Sequence, residues 1–118
     1  MDLARITRLA RRRYRQCIGH SNIKGITVPI VCYLTERDYR QVCDDELIFY
    51  DHWAMLALFA EMLSKRGGVI VFMPLVPADF FLWLEKNKFK NCYESRSKYT
   101  IWLLSGTVNG ISGQFDRP

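Results

Sequence analysis

Wound at about 100° per residue, the first stretch of the chain separates into two faces. Leu3, Ile6, Leu9, Ala10, Tyr14 and Cys17 share one sector, and Arg5, Arg8, Arg11, Arg12 and Arg15 share the opposite one. Only Arg13 breaks the apolar side. The pattern predicts an amphipathic helix over residues 3–17 with a five-arginine stripe. The loop GHSNIKG, residues 19–25, ends it.

Beyond that loop the hydrophobic pattern alternates between short and long periods. ITVPIVCYL, residues 26–34, is a β-branched apolar run and predicts a strand. Pro29 removes one ladder donor, which points to an edge position or a bulge. Residues 35–45 predict a short helix capped by Thr35, and residues 46–50 a short strand. Asp51 is the expected N-cap of a long helix running to Arg66. That helix has only a narrow polar stripe of Glu61, Ser64 and Lys65, so most of it is expected to be buried. Gly67-Gly68 supplies its stop.

VIVFMPL, residues 69–75, is apolar at every position, as expected of a central strand covered on two sides. Pro77 suits the first turn of a following helix that reaches about Lys88. Residues 89–94 and 99–108 are both expected as strands. Asn109-Gly110 then signals a type I′ hairpin that returns the chain through residues 111–115. No internal repeat, linker or low-complexity tract is visible. The expectation is one α/β domain over residues 1–118. Its body, residues 26–115, is a single-layer mixed sheet flanked by helices, preceded by the basic helix at 1–18.

Composition narrows the function classes. With 118 residues, 49% of them hydrophobic and 25% charged, the chain has ordinary globular usage and can build one core. It is too short for an enzyme with separate cofactor and substrate domains. The net charge of +5 comes from 17 Lys and Arg against 12 Asp and Glu. Residues 1–16 hold six arginines against Asp2, and the rest of the chain balances at 11 against 11. The excess charge therefore sits on the first helix, and a partner drawn by charge would be drawn there.

No run approaches the roughly 18–20 apolar residues of a membrane span, and no signal-peptide pattern follows the basic start. The four cysteines, Cys17, Cys32, Cys43 and Cys92, have no framework spacing. Reduced thiols and a cytoplasmic location, with no membrane partner, are expected.

The run VIVFMPLVPADFFLWLEKNKFKNCYES, with the long helix and KRGG before it, resembles the later half of the GNAT family of N-acetyltransferases. The expected element order over about residues 46–104 matches, and WLEKNKF resembles the family's Y-E-K-x-G-F helix end. The likeness covers about half the chain and includes small phage-encoded members with abbreviated first halves. It implies a GNAT-like fold. It also implies a coenzyme A pyrophosphate held on a Q/R-x-x-G-x-G/A loop at the start of the long helix. That place is FYDHWAM here, and no glycine lies between Gly25 and Gly67. An Asp51 cap would occupy the amides a phosphate needs. The family's acid tyrosine falls on Leu84, its helix-opening asparagine on Pro77 and its usual glycine on Lys88. The resemblance implies the fold and, through these departures, argues against the reaction.

The remaining chemistry is sparse. Cys17 and His20 have a ligand-like spacing, but a zinc site needs two further partners from Cys32, Cys43, His52 or Cys92, none of them in a paired motif. Buried structural thiols are the simpler reading. Cys43 and His52 as nucleophile and base lack an orienting third group. Asp44, Asp45, Glu46 and Asp51 form an acidic cluster, read mainly as loop and cap. Within an acetyltransferase-like body, Glu46 is the candidate base for an amine, and Tyr93 or Tyr99 could stand in for the acid. Trp53, Phe72, Phe80, Phe81, Trp83 and Trp102 fall on expected core faces.

Three functions follow. The first is a non-catalytic interaction protein with no cofactor, which binds a protein or nucleic acid through Arg5, Arg8, Arg11, Arg12 and Arg15. The second is an N-acyltransferase that holds acetyl-CoA on an altered loop. The third is a nucleic-acid-binding accessory protein. A homodimer through an apolar helix face is compatible with each.

Overall fold

The computed structural model describes residues 2–18, 21–43 and 47–108. Among them the chain is a mixed α/β protein with five helices and a two-stranded parallel sheet. In chain order the elements are α1 (Leu3–Ile18), β1 (Thr27–Cys32), α2 (Glu36–Val42), α3 (Phe49–Lys65), β2 (Val69–Pro74), α4 (Pro77–Asn87) and α5 (Tyr93–Val108). The described residues fall into two compact units. One is drawn from Met1–Ile30 and Asp44–Val71, the other from Val31–Cys43 and Phe72–Pro118.

The strand pair has a single register. In the first unit the Val69 amide donates to the Ile26 carbonyl at 2.9 Å. In the second, the Leu75 amide donates to the Cys32 carbonyl at the same distance. Ile26 and Cys32 are both even-numbered, so even positions of β1 turn their backbone groups toward β2. Pro29 is odd, and its ring nitrogen faces away from the partner strand. The sequence expectation of an edge position is met without a bulge.

In the first unit, α1 packs on α3. Ile6, Ala10 and Ile18 of α1 are buried, as are Met55, Leu56, Phe59 and Leu63 of α3. The Arg66 guanidinium donates to the Tyr14 hydroxyl at 3.3 Å. α3 closes with a paired set of hydrogen bonds. The Gly67 amide reaches the Ser64 carbonyl at 2.9 Å and the Gly68 amide reaches the Leu63 carbonyl at 3.1 Å. This stop puts Gly67 in the left-handed region, at φ 86°. A Cβ on Gly67 would also crowd Lys24, with atoms at 3.1–3.3 Å.

In the second unit, the Thr35 hydroxyl caps α2 by accepting the Asp38 amide at 3.1 Å. The Asn91 side-chain amide donates to the Val42 carbonyl at 2.7 Å, and the Arg96 guanidinium donates to the Asn91 carbonyl oxygen at 2.9 Å. Those bonds tie the end of α2 to the start of α5. α4 and α5 meet through aromatic rings. Trp83 has the rings of Phe89 and Tyr99 at 5.3 Å, Phe80 at 6.3 Å and Trp102 at 6.4 Å. α4 ends as α3 does, with the Phe89 amide on the Leu84 carbonyl at 3.0 Å, but Lys88 takes the left-handed position at φ 57°. The contact of Phe89 with Trp83 is the hydrophobic clasp that accompanies such a stop.

Four expectations are corrected. Where described, residues 46–50 are not a strand: Phe49 and Tyr50 already belong to α3. Asp51 is not the cap, because Ile48 precedes the helix and makes no side-chain cap bond. Asp51 sits inside the first turn, where its negative charge still complements the positive helix end. β2 is not covered on two sides, since Val69 is 52% and Phe72 42% exposed. In a two-stranded sheet each strand has an open edge, so a mixed sheet with a covered central strand is not found among the described residues. Phe81 is likewise exposed rather than core.

The largest correction is α5, which replaces both strands expected over 89–94 and 99–108. Its buried side chains are those of Ser95, Arg96, Tyr99 and Thr100, with the spacing of a helix. Three of those four are short polar or charged residues, and apolar Ile101 lies 54% exposed. Hydrophobic periodicity therefore hid the helix, and the β-branched and aromatic content of TIWLL imitated a strand. The hairpin at Asn109-Gly110 and the return through 111–115 lie outside the described residues.

Trp83→Ala removes the ring on which four others converge and should destabilise the protein by about 3–5 kcal/mol, read as a lower urea midpoint. The two helix stops should respond oppositely. Gly67→Ala should cost about 1–2 kcal/mol, whereas Lys88→Gly should leave stability unchanged or raise it by up to about 1 kcal/mol.

Candidate functional site: the arginine face of the first helix

The residue before α1 makes the helix start well defined. The Asp2 carboxylate accepts the Arg5 amide at 3.1 Å, and the Asp2 carbonyl accepts the Ile6 amide at 3.0 Å. This is an N-cap, and its sequence signal was an acid directly before the first apolar position. From that start, Ile6, Ala10 and Ile18 turn inward and Arg8, Arg11, Arg12 and Arg15 turn outward. Arg5, nearer the cap, is half-buried, as is Arg13. Leu3 and Cys17 fall in the apolar sector but are exposed, because they sit at the two ends of the packed stretch.

Arg8, Arg11, Arg12 and Arg15 form no ion pair with any described residue. Among the described residues, Glu36 pairs with Arg40 and Glu61 with Lys65, each at 3.2 Å and within one helix. Leu3, Ala4, Thr7, Arg8, Arg11 and Arg15 line a surface hollow along α1. Thr7 has its hydroxyl turned back onto the Leu3 carbonyl at 2.8 Å. The hollow therefore presents guanidinium groups and a little apolar surface at one end.

The spacing of these arginines has an energetic consequence. Arg8 lies three residues from Arg11 and four from Arg12, Arg11 lies four from Arg15, and Arg12 lies three from Arg15. Each is a like-charge neighbour on the helix surface, and each costs about 0.2–0.5 kcal/mol at low salt. Arg5, in the first turn, also faces the positive end of the helix dipole, whereas Arg15, in the last turn, meets its favourable end. The stripe is thus held in place against helix stability by the docked apolar face.

The other candidates do not assemble into a site. Glu46 and His20 lie outside the described residues. Among the described residues no group of three or more His, Cys, Asp or Glu stands ready to hold a metal ion. The Cys43 thiol donates to the Tyr33 hydroxyl at 3.1 Å, a buried structural contact rather than a pairing with a base. His52 is buried one turn into α3. Tyr99 is buried against Phe80, Trp83 and Trp102, so packing accounts for its place. Among the described residues no helix is long and apolar enough to cross a membrane.

Sequence reasoning named Cys92 only as a possible partner in a zinc site. It lies just before α5, exposed, with its sulfur 3.4 Å from the Ser95 hydroxyl. Hydrogen bonding from the Ser95 side chain and then its backbone lowers the Cys92 thiol pKa. Burial pushes the Cys32 thiol up, and the sulfur of Cys17, on the surface but partly tucked against the chain, is raised for the same reason.

Two outcomes follow. A lowered pKa means Cys92 carries more thiolate than Cys17 at any pH below both values. In a limiting iodoacetamide pulse near pH 7, Cys92 should be labelled before Cys17, as read by peptide mass spectrometry. Asp2→Ala should cost about 1 kcal/mol, seen as a fall in Tm with unchanged spectra at low temperature.

Set beside known proteins, the chain matches no family model, no curated protein and no solved structure.

Proposed function

We propose that this chain works without catalysis, by binding a macromolecular partner through the arginine face of α1. The observation that carries the reading is the set of Arg8, Arg11, Arg12 and Arg15, exposed and without a carboxylate among the described residues. They stand on a helix whose opposite side is already docked. An anionic partner would relieve the mutual repulsion that the free protein bears, so binding and helix stability pull in the same direction. The guanidinium fork suits carboxylate and phosphate oxygens alike.

The rest of the chain is read as GNAT-like on the order α3, β2 and α4. It is proposed as a scaffold rather than an acyltransferase. The start of α3 has no glycine turn, and Asp51 in its first turn sets a negative charge where a coenzyme A pyrophosphate would need amides and positive potential. Leu84, at the place of the family's acid tyrosine, is buried and has no proton to give.

The test has two arms. Millimolar acetyl-CoA should leave the thermal midpoint unchanged. A ligand at about 100 times its Kd would add roughly 2.7 kcal/mol, a shift of several degrees that would overturn the non-catalytic reading. The Arg8→Glu/Arg12→Glu double variant should keep its fold and lose at least tenfold in affinity for polyanions, measured by fluorescence anisotropy.

A further inference from the structure

We infer that the partner of the arginine face is the phosphate backbone of duplex nucleic acid, gripped without preference for sequence. This rests on the proposal that the arginine face of α1 is the binding surface.

Four features point to this partner; the first is shared with carboxylates, the second disfavours an acidic protein and the third a single strand. First, the exposed cations of the stripe are all arginines. A uniform set of bidentate forks fits phosphate oxygens, whereas one lysine in place of any of them would have supplied the same bare charge. Second, the stripe has no anchor of the kind a protein interface needs. Its apolar neighbours are Leu3 and Ala4, both at the first turn, and the aromatic Tyr14 lies on the other side of the helix, bonded to Arg66.

Third, the stripe has no aromatic ring on which an unpaired base could stack. Stacking platforms are what sequence-tolerant single-strand binders use beside their positive grooves. Fourth, apart from the guanidinium groups themselves, which can also reach base edges, the exposed side of α1 offers only Gln16 at the edge of the stripe as a base reader. Thr7 has its hydroxyl committed to the Leu3 carbonyl, which leaves guanidinium groups to make the contacts. Phosphate contacts set position and affinity and carry no base information.

The scale also agrees. Arg8 to Arg15 spans seven residues, about 10.5 Å of helix axis at 1.5 Å each. Duplex nucleic acid carries one charge per about 1.7 Å of its axis, so several phosphates lie within reach of four guanidinium groups. Four contacts predict a slope of log K against log salt of about −3.6, or a loss of about a hundredfold in affinity between 50 and 200 mM.

The experiment uses the full chain and fluorescence anisotropy. The probes are two labelled duplexes of about 20 base pairs and unrelated sequence, a single strand of the same length, and poly-glutamate. The expected result is that both duplexes bind equally within about threefold, with a salt slope between about −3 and −4. The single strand should bind more weakly and poly-glutamate hardly at all. Arg8→Glu/Arg12→Glu should abolish duplex binding. Both positions are exposed and make no ion pair with a described residue, so an unchanged Tm will separate lost binding from lost fold.

Tighter binding of the single strand, a preference above about tenfold for one duplex sequence, or binding of poly-glutamate without duplex would each overturn this inference. All three would leave the arginine face standing as a binding surface, provided the double variant loses them. If no polyanion binds, or if the double variant binds as well as the parent, the proposal for the face itself fails.

Discussion

The parallel pairing of β1 with β2 is the constraint that fixes how the chain must run between the two strands. Parallel strands cannot be joined by a tight turn, so the chain must leave the sheet after Cys32 and return at Val69. α2 and α3 occupy that excursion. The register on return depends on two backbone positions in the left-handed region, Gly25 at φ 75° and Gly67 at φ 86°. The Gly25 amide donates to the Gly67 carbonyl at 2.9 Å, one residue before Ile26 and two before Val69, whose pairing closes the ladder. A slip of one residue would turn the ring nitrogen of Pro29 toward β2 and lose a ladder bond. Two glycines and one proline therefore select one register.

α1 lies outside that sheet and is held by its packing on α3. Its apolar side is docked on α3 and its cap is satisfied by Asp2, so the helix tolerates a run of like charges that would weaken it in isolation. A surface helix selected only for stability would interleave acids and bases. The structure therefore separates two roles on one element: burial of Ile6, Ala10 and Ile18 secures the helix, and the arginines are left to the solvent side.

The second unit packs a cluster of rings beside buried Val31, Val42, Leu75 and Leu84. Phe80, Trp83, Phe89, Tyr99 and Trp102 meet edge-on, tilted or stacked, at 5.2–6.4 Å. Such pairs add about 0.5–1.5 kcal/mol each beyond the area they bury. They bring α4 against α5, while Asn91 and Arg96 join α5 to the end of α2. A buried guanidinium held by a neutral amide makes a positioning contact.

Local rules decided much of this chain. The arginine face of α1, the Thr35 cap, the strand at ITVPIVCYL with an edge proline, the Gly67 stop and the helix opening at Pro77 were all legible. Each rests on contacts within a few residues or on a clear hydrophobic period. The start of α3 and the identity of α5 were not legible. Phe49 and Tyr50 have strand-like chemistry and became the first turn of a helix. Residues 93–108 bury Ser95, Arg96 and Thr100 and expose Ile101, which inverts the pattern that sequence reading relies on. Those outcomes depend on partners distant in sequence: Val42 for Asn91, and Phe80 and Trp83 for Tyr99. The sequence by itself determined where charge is concentrated and where the chain turns. Only the tertiary structure decided which polar side chains are buried, because burial is set by what packs opposite and no local period records it.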